Sequence, residues 1–539
     1  MKKLLTLLVF TAWWAASTAQ TDTTGVSNLD AALNATKMLS AEHEFIKGNM
    51  RGALTLYREI LSTDAMNFKA QLGEAECYYN LKKYADSFHS LDKAVRINGG
   101  KTPELTFFYA KCYHRTGDLD RAISEYKAFL KVAKKTSYEA EEAAKFIKEC
   151  EFAKRKMAQP VDVTITNMGE GINSRLDEYA PSITSDGKTL IYTSRRDNTT
   201  SPPDKAGKNI DVKGDYKFFE DIYISHYEAQ HGHWSDCENL PGEVNTVFHD
   251  GVLSVVPDGS GIYVYKNNTE NAGDIYFSKR QDDGTYKAAE LLPKTINSSF
   301  FESSASQTAD GSKLYFISER QGGLGLGDIY VASKVGTGWG KPVNLGEMIN
   351  TKGDEKFVFI HPNGKTLFFA SNGHLGLGSY DIFKSEFVNG VWTKPLNLGY
   401  PINTVNEEST FSLTQDNALM YISAEYDDSY GERDIYKIDV SRYPALSAGY
   451  ETSIYAQLLC VIVDTNGKPF KGVKIAAEDL DTGDVFEATT DKMGYARINV
   501  QGNKTYKVTA TKDTKTFSEE VTIEMRNGSD TVHKWEIRL

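Results

Sequence analysis

The sequence predicts three successive architectures: an α-helical repeat array, a five-bladed β-propeller and a small β-sandwich. Three observations carry that expectation. From about Leu39 to Lys156 an apolar pattern of helical period repeats at intervals of 34 and 35 residues. After Gln159-Pro160 the period changes to two, and an Asp-Ile-Tyr or Asp-Ile-Phe strand recurs five times. From Tyr455 onward, turn residues fall roughly every 8–12 positions between alternating strands, the spacing of a sandwich.

A chain of 539 residues is too long for one core. Its 40% hydrophobic and 25% charged residues are ordinary for a soluble globular protein. The 30 Tyr, 26 Phe and 43 Gly lean toward sheet with many turns. A net charge of −12 excludes non-specific nucleic-acid binding, which needs a basic face. Lys2 and Lys3, the apolar stretch Leu4 to Ala16 and the small residues Ser17-Thr18-Ala19 read as an export signal over residues 1–19. That stretch is shorter than the roughly 20 residues of a spanning helix, so cleavage is expected and direct transmembrane insertion is not. No Cys follows it to take a lipid.

The five cysteines (Cys77, Cys112, Cys150, Cys237 and Cys460) form no disulfide framework. Cys77 and Cys112 occupy equivalent places in successive helical units. Such helices lie roughly 8–10 Å apart, whereas bridged Cα atoms sit within about 7 Å. Free thiols are therefore expected, and no pair has metal-ligand spacing.

In the helical segment, assigned to residues 20–158, Ala53, Ser87 and Ala122 align. Small residues Ala41, Ala75 and Ala110 precede them, and large Tyr57, Leu91 and Tyr126 follow. Small residues let two helices cross closely, and the large one fills the groove toward the next pair. Turns are expected at Gly48-Asn49, Lys82-Lys83 and Gly117-Asp118, with a final helix near Glu139 to Met157. The pattern resembles the tetratricopeptide repeat in about three units, without its usual terminal Pro. The resemblance implies a groove for a peptide or partner protein; a bare spacer is the alternative.

In residues 161–443 the repeated Asp stands at Asp221, Asp274, Asp328, Asp381 and Asp434, with spacings of 53, 54, 53 and 53. Hairpin turns recur at Asp186-Gly187, Asp258-Gly259, Asp310-Gly311, Asn363-Gly364 and Asp416-Asn417, where positive φ is needed. Asn173, Asn245, Asn297, Asn350 and Asn403 mark the joints. Each unit supplies four strands, with Trp234, Tyr286, Trp339 and Trp392 on the fourth of the first four units. The fifth unit lacks that strand, and Val161–Thr166 is expected to supply it and close the ring. The repeats resemble the TolB-like, WD40-like propeller repeat.

No catalytic, cofactor-binding or metal residue is assigned, and no cofactor is expected. Asp258-Gly259 and its equivalents lack the spacing of sialidase Asp-boxes. Five copies of Asp before Ile read as turn-orienting groups rather than catalysts. Gly322 to Asp328 and Gly373 to Gly378 lack the Lys-Ser/Thr and helix of a nucleotide loop, so they read as exposed strand connections. His231-Gly232-His233 is the closest His pair, with no further ligand in view. A polar insertion, Asn198 to Lys217, lengthens the first unit and is a place for function.

Residues 455–539 resemble the carboxypeptidase regulatory-like domain, through Asn466-Gly467-Lys468-Pro469, Asp481-Thr482-Gly483 and Asp491-Lys492-Met493-Gly494-Tyr495. The whole order resembles Bacteroidetes cell-envelope proteins, some associated with type IX secretion and gliding. Fuller members carry an OmpA-like domain that grips peptidoglycan, and this sequence stops before one. The resemblance implies an exported, non-catalytic adaptor of the periplasm or outer membrane. It would bind protein partners there and reach peptidoglycan only indirectly. A propeller glycosidase and a glycan-binding adhesin are the alternatives.

Overall fold

The structure is a computed structural model that describes residues 28–196, 219–247, 249–267, 273–447, 455–481, 483–501, 504–523 and 532–538. The expected export signal and the 198–217 insertion lie outside the described residues. Among those described, no helix is long and apolar enough to cross a membrane.

Seven helices open the described chain: α1 (Asn28–Ile46), α2 (Met50–Thr63), α3 (Phe68–Asn80), α4 (Tyr84–Asn98), α5 (Pro103–Arg115), α6 (Leu119–Val132) and α7 (Tyr138–Ala158). The first six form three pairs, and α7 packs on α6. The aligned small residues Ala41, Ala53, Ala75, Ser87, Ala110 and Ala122 are all fully buried, as tight crossings require. Tyr57, Leu91 and Tyr126 fill the spaces between pairs. Polar side chains start most helices. Asn49, Asn67, Thr102, Asp118 and Ser137 each accept an N–H from the first turn. Gly48 and Gly117 take positive φ in two of the turns inside pairs, and Lys82 does so in the third at φ 58°.

Five antiparallel sheets follow. The first comprises Glu178–Ile183, Thr189–Ser194 and Asp221–Glu228, with a fourth strand in two pieces, His233–Trp234 and Glu238–Asn239. Third and fourth sheets repeat this plan, with fourth strands Gly338–Trp339 plus Val343–Asn344 and Val391–Trp392 plus Leu396–Asn397. The fourth strand expected from the sequence is thus present in two pieces. In these two sheets Pro342 and Pro395 stand at the break, where neither has an N–H to give to the ladder. In the second sheet Tyr286 makes only isolated bridges, and Glu290–Leu291 is the paired piece.

The fifth sheet is completed from the other end of the region. Thr164–Asn167 pairs antiparallel with Asp434–Asp439, as the missing strand led us to expect. Inner strands of successive sheets touch, and that of the fifth touches that of the first, in a propeller-like cycle. Ser and Thr hydroxyls stitch these inner strands together. Ser182 accepts the Val255 N–H, Ser254 donates to the Ala305 carbonyl, and Ser304 and Ser306 accept from Val358 and Ile360. Thr410 and Ser412 accept from Ala180 and Ile183, across the closure.

The last region holds two sheets. Tyr455–Val463 pairs with Tyr495–Gln501 and Val532–Arg538, opposite a four-stranded sheet around Lys474–Asp479 and Lys504–Lys512. Leu458, Cys460 and Ile462 meet Ile475, Ala477, Val508 and Ala510 in one core. The pairing of Val532–Arg538 with Tyr455–Val463 is parallel, unlike every other named pair.

Candidate functional site

The joints explain the repeated Asn and Asp. Each joint Asn binds both backbone groups of the Ile that follows the repeated Asp. Asn245 does this to Ile222, Asn297 to Ile275, Asn350 to Ile329 and Asn403 to Ile382, at 2.8–3.0 Å. The side-chain amide thus imitates a strand where the chain leaves one sheet for the next. The Asp residues orient turns: Asp328 accepts N–H groups of Leu324 and Gly325, and Asp381 those of Leu377 and Gly378.

A second set of carboxylates, not singled out from the sequence, lies five residues after each joint. Glu178, Asp250, Glu302, Glu355 and Glu408 are all buried. Each accepts both the N–H and the hydroxyl of a Ser or Thr four residues earlier: Ser174, Thr246, Ser298, Thr351 and Thr404. Burial pushes Glu355 up to about 7 and Glu408 up to about 8. The signal was legible as Asn-Ser/Thr followed by an acid, five times over.

At the same end of the sheets, unlike charged groups meet. Arg433 Nε lies 3.0 Å from Asp177, and Arg195 lies 2.9 Å from Glu220, which also bonds His249. Lys356 lies 2.5 Å from Glu407, and the Tyr380 hydroxyl donates to Asp354 at 2.7 Å. Burial opposes ionisation of Glu407, but Lys356 and Arg433 hold it down to about 2. Arg433 and Lys356 also sit over the rings of Tyr179 and Tyr380.

The helical array stands on this end. His114 donates to the Leu377 carbonyl at 3.2 Å, Arg115 to that of Val405 at 2.5 Å and Lys145 to that of Asn372 at 2.7 Å. Lys82 pairs with Glu425, and Arg51 with Glu432. Leu377 and Val405 belong to the same apolar core as Phe107, Tyr126 and Phe152 of the array. The loop containing Gly376 to Gly378 is therefore buried beneath helices. That corrects the expectation of two exposed connections: Gly373 to Leu375 and Gly323 to Leu326 are half-buried, and of the two stretches only Gly322 is exposed. Glu149 is buried near the junction beside Lys145, and burial pushes it up to about 7. Burial also holds His114 neutral, down at about 3. At the far end of α7, Arg155 and Lys156 reach Leu480 and Asp481 of the last region.

Along α1, α3, α5 and α7 charged side chains from alternate helices act on one another. Glu42, Glu76 and Glu142 are each half-buried there, and desolvation raises all three, Glu76 to about 7. Lys69 acts on Glu42, while Lys111 acts on both Glu76 and Glu142. The Lys111 ammonium lies 4.7 Å from the Tyr79 ring centroid and 5.1 Å from that of Phe108. Alternating charge on an aromatic floor suits an extended segment that offers amides and charged side chains. All five cysteines are free, and four of them are buried.

Comparison with family models and with curated proteins finds no match. Among solved structures, the chain is similar to an α-L-arabinofuranosidase from Podospora anserina in complex with cellotriose. That likeness has 13% identity and a TM-score of 0.31, over 51% of this chain and 92% of that one. A periplasmic gluconolactonase of Pseudomonas aeruginosa matches at 12% identity and a TM-score of 0.28, over 64% of this chain and 85% of its own. PcrH, in complex with the chaperone-binding region of PopD, matches at 18% identity and a TM-score of 0.22, over 25% of this chain and 99% of its own. At these scores the likenesses carry no argument about chemistry.

Proposed function

We propose that this chain is a non-catalytic scaffold of the bacterial cell envelope, exported and either periplasmic or associated with the outer membrane. Its ring is read as a five-bladed propeller, closed by the strand that follows the helices. The observation that carries this reading is the row of interacting charges along α1, α3, α5 and α7, where Lys111 acts on half-buried Glu76 and Glu142. An extended segment of an envelope protein is the occupant such a surface suits, in line with the tetratricopeptide resemblance. Anchorage on the ring supports the role further, because an array fixed by Arg115 and Leu377 presents its partner in one orientation. The resemblance to Bacteroidetes envelope proteins makes a type IX secretion or gliding complex the setting we favour. Affinity purification from envelopes with the wild-type chain and with Lys111→Glu tests it. Defined outer-membrane or periplasmic partners should be recovered with the first and lost with the second; partners retained equally by both would sink the groove assignment.

A second reading, a propeller glycosidase, draws on the charged cluster at the array end. Asp177 and Glu220 flank strands of the first sheet, Asp354 a strand of the fourth and Glu407 a strand of the fifth, so acids of three sheets are available as an acid and base pair. Each is already engaged by a cation or a phenol, and Glu407 is held far below the range of a general acid. Turnover of envelope polysaccharide by the purified chain, abolished in Glu407→Gln, would favour this reading over the first.

A further inference from the structure

The outer hairpin of the first sheet differs from those of the third and fourth, and that difference gathers ligand chemistry. In the third sheet the outer hairpin pairs Val335 with Gly338, and in the fourth Val388 with Val391, with two residues between. In the first sheet Glu228 pairs directly with His233, and four residues separate them. The longer turn is well defined. The Glu228 carbonyl accepts N–H groups of both His231 and Gly232 at 2.9 Å, and Gly232 takes φ 71°. That bend brings His231 back over His233, with ring centroids 5.5 Å apart and planes 15° from parallel.

One carboxylate oxygen of Glu228 and one nitrogen from each ring lie within 4.8 Å of one another. His231 Nδ1 is 2.8 Å from Glu228 Oε2. His233 Nδ1 donates to the Trp234 carbonyl at 3.1 Å, which leaves its Nε2 lone pair as an acceptor. Repeated positions in this ring carry structural roles, as the joint Asn and the buried acids do. A set found in one sheet alone, exposed to solvent and outside any core cluster, has no such role in holding the ring.

We propose that Glu228, His231 and His233 form a binding site for a borderline divalent transition metal of the zinc class. Two imidazoles and one carboxylate suit such an ion and disfavour the hard calcium and magnesium ions, which prefer all-oxygen shells. Three protein donors leave a coordination position for water or for a donor from another protein. The hairpin stands at the end of its sheet remote from the joint Asn245 and from the helical array, so the site is independent of the groove.

The test uses the full chain, stripped with a chelator and titrated with zinc ion by calorimetry. One site is expected, weakened about tenfold or more in His231→Ala and in His233→Ala, and lost in the double variant. Thermal melting of the metal-free variants should match the wild type, because all three side chains are exposed. X-ray absorption of the loaded protein should give nitrogen and oxygen neighbours at about 2.0–2.2 Å. A sulfur shell, or unchanged zinc binding by the double variant, would overturn the assignment, as would a wild-type chain that binds no zinc.

Discussion

The side chain of Asn173 is bonded to both backbone groups of Ile435, 262 residues further along the chain, at 2.8 and 3.0 Å. The same contact recurs at every joint, but here it joins the first sheet to the last. It also holds Asn167, the end of the closing strand, at 2.8 Å. Asn173→Ala leaves the Ile435 N–H without that partner, at a cost of about 1–3 kcal/mol. Asn350→Ala should cost a similar amount in urea unfolding. Only Asn173→Ala should speed amide exchange in Thr164–Asn167, and equal exchange in both variants would contradict ring closure at this point.

Stability should fall as pH rises through the neutral range. Burial lifts Glu149 and Glu355 to about 7, Glu408 to about 8 and Asp381 to about 6, from ordinary values of 4.5 and 3.8. Over that interval the folded chain keeps protons that the unfolded chain has released. The slope of unfolding free energy with pH is then negative. The melting temperature should be higher near pH 5.5 than near pH 8, and the double variant Glu355→Gln/Glu408→Gln should flatten the difference.

Attachment of the helices to the ring should depend on a few side chains. Leu377→Ala removes an apolar anchor from a core shared with Phe107 and Phe152, a change of about 2–5 kcal/mol for a buried leucine. Arg115→Ala removes the bond to the Val405 carbonyl. Differential scanning calorimetry of the double variant should show the array melting ahead of the ring. A single unshifted transition would mean that the junction contributes little.

Thiol labelling should separate the cysteines. Cys77, Cys112, Cys150 and Cys460 are buried, and burial pushes Cys112 up to about 11 and both Cys150 and Cys460 up to about 12. Thiolates, not thiols, react with disulfide reagents. The native protein should label at Cys237 alone, and all five cysteines should label after denaturation without reductant. Fewer than five would reveal a disulfide.

Repetition made much of this fold legible. Spacings of 34 and 35 residues placed Ala53, Ser87 and Ala122 at close crossings, and the missing fifth-unit strand pointed to the segment ending at Thr166. Contacts between unlike units had no such signal. Leu377 and Arg115 are ordinary residues in their own segments, and only the packed chain brings the Arg115 side chain to the Val405 carbonyl, 290 positions away. The buried acids at Glu178, Asp250, Glu302, Glu355 and Glu408 did repeat, but burial is not written in an acidic residue. Glu228 was hidden beside His231 and His233 because the turn that joins them depends on the backbone at Gly232.

The helical array is proposed to hold a protein partner along α1, α3, α5 and α7. A photo-crosslinking residue in place of Glu142, compared in intact cells with one at exposed Glu487, tests it most directly. The same defined envelope proteins should cross-link from position 142, be absent from position 487 and be lost when Lys111→Glu is added. No protein adduct at position 142, in cells where the chain is folded and exported, would contradict it.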